Sequence, residues 1–384
     1  MPDAPGHGER RPPRARLILA LAALALSAAA VAGAPTLCRH RAAAADTPTS
    51  LVARGAVLFA TSFTPAQGLG PLFNNTSCLG CHSTPTPGGM GPDGLGIATR
   101  VGQLSPSGFD AMIGRGGPVM RSRSVAELGQ RCDLEPGIPA GANVTSVRNA
   151  PGLYGSGLID AIPDEAIAAG AVDRGDGVHG RAHRVRGADG RERIGRFGWK
   201  ADTVSLRQFV ADAFRNELGI TSPLASVDLV PAAQPGRRRC PGEGARLEDD
   251  GRAVVAVTAF LAALAPPPPR TVSAAQAALF ASTGCAACHT PALAGVPLYS
   301  DMLLHDVGAD LDDKVTQGQA SGRNWRTTPL WGLGARRRLL HDGRARTIAL
   351  AILAHGGEAA TARQRFRELA PADREALLAF LGGL

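Results

Sequence analysis

Apolar residues recur every three or four positions over several stretches of the chain. Asp202 to Leu218 is the clearest: Leu206, Phe209, Val210, Ala213 and Phe214 share one face, which predicts an amphipathic helix. Ser50 to Ala60, Arg252 to Ala265, Ala274 to Ser282 and Arg344 to His355 have helical composition and no internal proline, and Ala370 to Phe380 adds a last helical segment. Strand signals are few and short. Segments 85–96, 114–118 and 181–198 are rich in Gly or Arg and read as loops. The expected fold is therefore mainly α, with long irregular loops.

The pattern repeats. Leu72-Phe73-Asn74-Asn75-Thr76-Ser77-Cys78-Leu79-Gly80-Cys81-His82 and Leu279-Phe280-Ala281-Ser282-Thr283-Gly284-Cys285-Ala286-Ala287-Cys288-His289 align without a gap. Each is followed later by an apolar helix end, Phe260 to Leu264 and Phe380 to Leu384. The chain thus divides into two related units. The proline run Pro266 to Pro269 cannot continue a helix and favours a short, stiff spacer. The expected division is residues 46–265, a linker at 266–270, and residues 271–384.

Residues 1–45 read as an export signal. Arg10, Arg11, Arg14 and Arg16 precede an apolar run from Leu17 to Ala32, and small residues follow, with cleavage after Ala45 or Ala34. Left uncleaved, the same run is a membrane anchor. Either way the rest of the chain works outside the cytoplasm, and the periplasm is the expected location. The segment also distorts the charge balance: it holds six Arg against Asp3 and Glu9, so only half of the net +8 belongs to the rest. With Lys at positions 200 and 314 alone and no basic stripe interleaved with aromatics, nucleic acid is excluded as a partner.

Cys-x-x-Cys-His meets three chemical demands in five residues. Two thiols three residues apart lie on one side of a turn and can add to the two vinyl groups of one haem, and the next residue places an imidazole under the iron. Two copies behind an export signal predict two covalently bound c-type haems, attached at Cys78, Cys81, Cys285 and Cys288, with His82 and His289 as proximal iron ligands. A zinc site would need further Cys or His at short spacing beside each motif, and none follows. Aromatics make up only 4% of the chain, which leaves space for two large flat cofactors. Of the seven cysteines, Cys38 lies in the signal and four bind haem. Cys132 and Cys240 remain, as a structural disulfide or, on the sharper reading, a reactive dithiol.

The sixth ligand of each iron decides between electron carriage and small-molecule binding. The pool is His179, His183, His305, His341 and His355 with Met90, Met112, Met120 and Met302. His305-Asp306 and His341-Asp342-Gly343 stand out, because a neighbouring carboxylate can orient the ring. Five Arg between Arg336 and Arg346 are suited to haem propionates or to a solvated basic face.

At these residues the chain resembles the bacterial di-haem oxidoreductases, also known as thiol oxidoreductases, relatives of the di-haem cytochrome c peroxidases and of MauG. The matching stretches include Gly68 to Asn74, Arg148 to Gly155, Gly157 to Pro163, Arg196 to Ala201, Leu303 to Asp306, Trp325 to Gly332, Leu340 to Ala345 and His355 to Ala359. The resemblance implies two cytochrome c-like haem domains in a periplasmic redox protein. A small redox protein or other donor would supply electrons, one haem would relay them, and the other would bind an oxidant such as hydrogen peroxide. One departure stands out: the peroxidases carry Met just before His-Asp-Gly as an iron ligand, and Leu340 holds that place. His341, His305 and Met302 are the candidates to replace it. Trp199, Trp325 and Trp331 are candidate electron bridges, and no residue matches the peroxidases' distal acid. The competing readings are a non-catalytic electron-transfer cytochrome and a thiol oxidoreductase acting through Cys132 and Cys240.

Overall fold

The computed structural model describes residues 47–92, 96–230, 240, 247–268 and 270–384. The proposed signal, Cys38 and Pro269 lie outside the described residues. Those described belong to one compact unit, Asp46–Leu384. They contain nine α-helices: α1 (Pro48–Ala60), α2 (Ser156–Asp160), α3 (Asp164–Ala169), α4 (Leu206–Leu218), α5 (Arg252–Ala263), α6 (Ala274–Ser282), α7 (Ile348–Ala354), α8 (Ala360–Glu368) and α9 (Pro371–Leu381).

Local chemistry sets the boundaries. The Thr47 hydroxyl accepts from the Ser50 amide at the start of α1, and Ser205 does the same for Gln208 at the start of α4. Ser273 and Gln276 form a reciprocal capping box on α6. Arg252 to Ala265 stops at Ala263, because the proline run removes the amides that another turn needs.

The mainly α expectation is overturned. The protein is mixed, 33% helical with 17% strand. Strand β2 (Ile97–Ser105) pairs antiparallel with β3 (Gly108–Asp110), β4 (Val119–Met120) and β6 (Val144–Asn149). Short ladders join β1 (Leu72–Phe73) to β5 (Arg123–Ser124), β7 (Arg184–Arg186) to β8 (Glu192–Ile194), and β9 (Leu304–Asp306) to β10 (Asn324–Arg326). The sequence hid the sheet because its strands lack clean alternation. In β2 the two buried residues, Val101 and Gly102, are adjacent, and three strands are only two residues long.

Two apolar cores organise the unit. The larger includes Phe59, Phe73, Val210, Phe214 and Val257, and takes in Met302, Leu303 and Trp331 from beyond the proline segment. The smaller gathers Phe280, Leu330, Phe366, Leu377 and Phe380. In the first, α1 crosses α5 so closely that a Cβ at Gly55 would lie 1.9 Å from the Ala256 carbonyl oxygen. In the second, the ring of Phe280 on α6 lies 5.1 Å from that of Phe380 on α9. The repeated Leu-Phe before each Cys-x-x-Cys-His thus sends a buried Phe into a core beside each motif: Phe73 into the first and Phe280 into the second.

Candidate functional site

Both Cys-x-x-Cys-His segments close the same turn. The amides of Cys81 and His82 donate to the Cys78 carbonyl at 3.1 and 3.0 Å, and the His289 amide donates to that of Cys285 at 2.9 Å. Gly284, at φ 93°, provides the left-handed residue from which the second turn starts. All four motif cysteines are unpaired. Burial pushes the Cys78 and Cys285 thiols up to about 12. A thiol raised in this way is a poor nucleophile.

The histidines match in detail. His82 Nδ1 lies 3.0 Å from the Gly89 carbonyl oxygen, and His289 Nδ1 lies 2.9 Å from that of Tyr299. A carbonyl only accepts, so His289 Nδ1 carries the proton and its Nε2 keeps a lone pair, while the His82 ring faces a second carbonyl, that of Pro151. Burial lowers both imidazoles, His289 to about 4, and so holds them neutral. A neutral imidazole oriented through its other nitrogen is the form that ligates a metal.

Cys285, Cys288 and His289 open into a cavity of ≈ 330 Å³ that reaches Met90, Phe197 and Phe209 beside the first unit. Its apolar walls, aromatic side chains and metal-competent imidazole fit a haem. Four further imidazoles bear on the sixth-ligand question. His305 is held on both sides, Nδ1 at 2.7 Å from Glu358 Oε2 and Nε2 at 3.0 Å from Asp301 Oδ2. Although burial opposes it, hydrogen bonds that the ring donates to Asp301 and Glu358, with a contact to Cys288, raise its pKa to about 12, and a ring donating at both nitrogens has no lone pair for iron. His183 is likewise engaged at both nitrogens, by Lys200 O and the Gln319 amide. His341 lies flat on Trp325, with ring centroids 3.8 Å apart. Met302 lies in the larger core, its sulfur 3.6 Å from Arg326 Nη1.

His355 was in the sequence pool without being singled out, and the structure gives it the better geometry. Its Nδ1 is 2.6 Å from the Ala351 carbonyl oxygen, which frees Nε2. It lines the same cavity as His289 and is close enough to depress that residue's pKa. The available signal was its place at the end of a short apolar helix after His-Asp-Gly; without a carboxylate next to it, the local criterion passed it over.

The tryptophans separate into a pair and a single. Trp199 meets Trp325 edge-on at 6.5 Å. Arg148 and Lys200 lie over the Trp325 ring at 4.3 and 4.0 Å. Trp331 stands apart, donating to the Pro297 carbonyl and packed so tightly on Gly155 that a Cβ there would lie 2.1 Å from its ring. Cys132 and Cys240 are disulfide-bonded in a small apolar core with Leu72 and Leu134, and neither lines the cavity.

The family described as "Di-haem oxidoreductase, putative peroxidase" matches residues 142–384. The chain belongs to this family. It is thus an oxidoreductase of a family that carries two haems, and its second Cys-x-x-Cys-His lies within the matched residues while the first precedes them. Solved structures offer distant likenesses. The diheme peroxidase BthA of Burkholderia thailandensis is 17% identical over 88% of each chain, with a TM-score of 0.41. Hydrazine synthase of Kuenenia stuttgartiensis is 14% identical over 93% of this chain and 100% of its own, with a TM-score of 0.36. Among curated proteins none matches the chain.

Proposed function

We propose that this di-haem oxidoreductase is an exported, periplasmic c-type protein that passes electrons from a small redox protein to a peroxide. Residues 1–45 are its export signal, residues 46–265 and 271–384 each carry one haem, and residues 266–270 join them. The observation that carries the reading is the matched pair of turns, each offering two half-buried thiols outside any disulfide and a neutral imidazole anchored through Nδ1 to a backbone carbonyl. Cys78 and Cys81 hold one haem and Cys285 and Cys288 the other, with His82 and His289 beneath the irons. When bound, haem supplies one-electron redox chemistry and a coordination position for an oxidant.

The residues of the chain do the rest. Gly89 and Tyr299 carbonyls fix the proximal rings and increase their basicity. His355 offers Nε2 to the second iron, which makes that centre the relay and leaves the first for the oxidant. Trp199 and Trp325 provide an aromatic step in contact. The test is steady hydrogen peroxide turnover by the haem-loaded protein with a reduced cytochrome or dye as donor. No turnover, before or after partial reduction, rejects the peroxidase.

A second reading, a non-catalytic electron carrier, draws on His341, whose ring is buried and makes no hydrogen bond among the described residues. Were His341 to ligate the first iron, both centres would be six-coordinate. The oxidised and half-reduced protein would then show no spectral response to cyanide, carbon monoxide or peroxide.

A further inference from the structure

Arg326 and Arg336 both line the cavity that opens from Cys285, Cys288 and His289. Neither has a carboxylate within 4.0 Å among the described residues. Three other cavity arginines are answered in this way: Arg174 by Asp301, Arg196 by Asp164 and Arg365 by Asp176. Arg326 reaches only neutral acceptors, with Nε 3.0 Å from Gly198 O and Nη1 3.2 Å from Thr327 O and 3.6 Å from Met302 Sδ. Arg336 gives only Nη2, to the Pro329 and Trp331 carbonyls at 2.8 and 2.6 Å. Arg326 Nη2 and Arg336 Nε and Nη1 therefore have no protein acceptor among the described residues. Burial depresses both guanidinium groups to about 10; the charge of Arg336 depresses Arg326 further, and Asp202, beyond ion-pair distance, offsets this only in part.

Two like charges, each half-buried and facing one cavity, favour an anion that joins them. Guanidinium nitrogens left over in this way match the bidentate geometry of carboxylates. We propose that Arg326 and Arg336 form the receptor for the two propionate carboxylates of the haem attached at Cys285 and Cys288. This rests on the haem reading above and goes beyond it by assigning the cofactor's anionic edge to two residues. The pair also tunes that centre, since cations beside the propionates favour the reduced, less positive iron.

The experiment compares Arg326→Gln, Arg336→Gln and the double Gln variant with the corresponding Lys variants, all matured in a host that attaches haem. Intact mass counts the haems, and a spectroelectrochemical titration reads both midpoints at several pH values. Each Gln variant is expected to retain two haems and to move one midpoint to more negative values. That midpoint should also become more pH-dependent, as an uncompensated propionate takes up a proton, while the Lys variants stay near wild type. Loss of one haem from the double Gln variant, confined to Cys285 and Cys288 and restored by Lys, supports the same receptor. Unchanged midpoints and pH dependence in the double Gln variant overturn it, as do Lys variants that behave like Gln. A wild-type protein with no added haem mass would instead reject the proposed function itself.

Discussion

Asp313 is the place to test the buried charge network beside the tryptophan pair. It is almost fully buried, as are Arg148 and Lys200, which it pairs with directly, the latter at 3.3 Å. Ser146 Oγ donates to it at 2.7 Å and the Val315 amide at 3.1 Å. In Asp313→Asn the shape and part of the hydrogen bonding survive, but two buried cations lose their counter-charge. Removing one partner of a buried pair costs about 3–5 kcal/mol. An independent bound comes from Lys200, which burial has already lowered from 10.5 to about 8. Since wild type already carries that penalty, losing the Lys200 charge in the folded variant adds about 1.4 kcal/mol at pH 7 and almost nothing at pH 9, above the folded value. The sign follows from proton counting. With the folded value below the unfolded one, the unfolded chain binds the extra proton between them, so stability rises with pH across that window, and the variant widens it downward. Chemical denaturation of the haem-loaded protein should show a loss of about 3–5 kcal/mol at pH 7 that shrinks clearly by pH 9. A loss under about 1 kcal/mol at pH 7, or one of equal size at both pH values, would refute the reasoning.

Three further outcomes are expected. His355→Ala should convert one low-spin haem to a species that binds carbon monoxide or cyanide, read by optical and electron paramagnetic resonance spectra, whereas His305→Ala should not, because both its nitrogens are engaged. Replacing Cys132 and Cys240 with Ser opens a link spanning 108 residues and should cost up to about 4–5 kcal/mol in denaturant titrations without changing haem mass; abolished turnover in a folded, fully haem-loaded variant would favour the thiol chemistry instead. Gly55→Ala should lower stability by about 1–3 kcal/mol or more, because its Cβ would meet the Ala256 carbonyl and separate α1 from α5; a neutral result would show that the two helices can part freely.

Local spacing was enough for the two Cys-x-x-Cys-His turns and most of the helices. Both depend on contacts three or four residues apart, so Cys78 to His82, Cys285 to His289 and the apolar face of α4 could be read directly from residue order. The sheet could not, because its strands are short and their partners lie tens of residues away, as with Ile97 opposite Asn149. The sixth-ligand question turned on the same limit. A carboxylate next to His305 in sequence suggested a ligand, yet Asp301 and distant Glu358 close on both ring nitrogens, while His355 is freed by a bond within its own helix turn. Whether an imidazole can offer a lone pair depends on what occupies its other nitrogen, and for His305 that is a residue 53 positions away. Residue order therefore determined where the two Cys-x-x-Cys-His turns form, and only tertiary packing decided which side chains remain free to face the cavity beside the second.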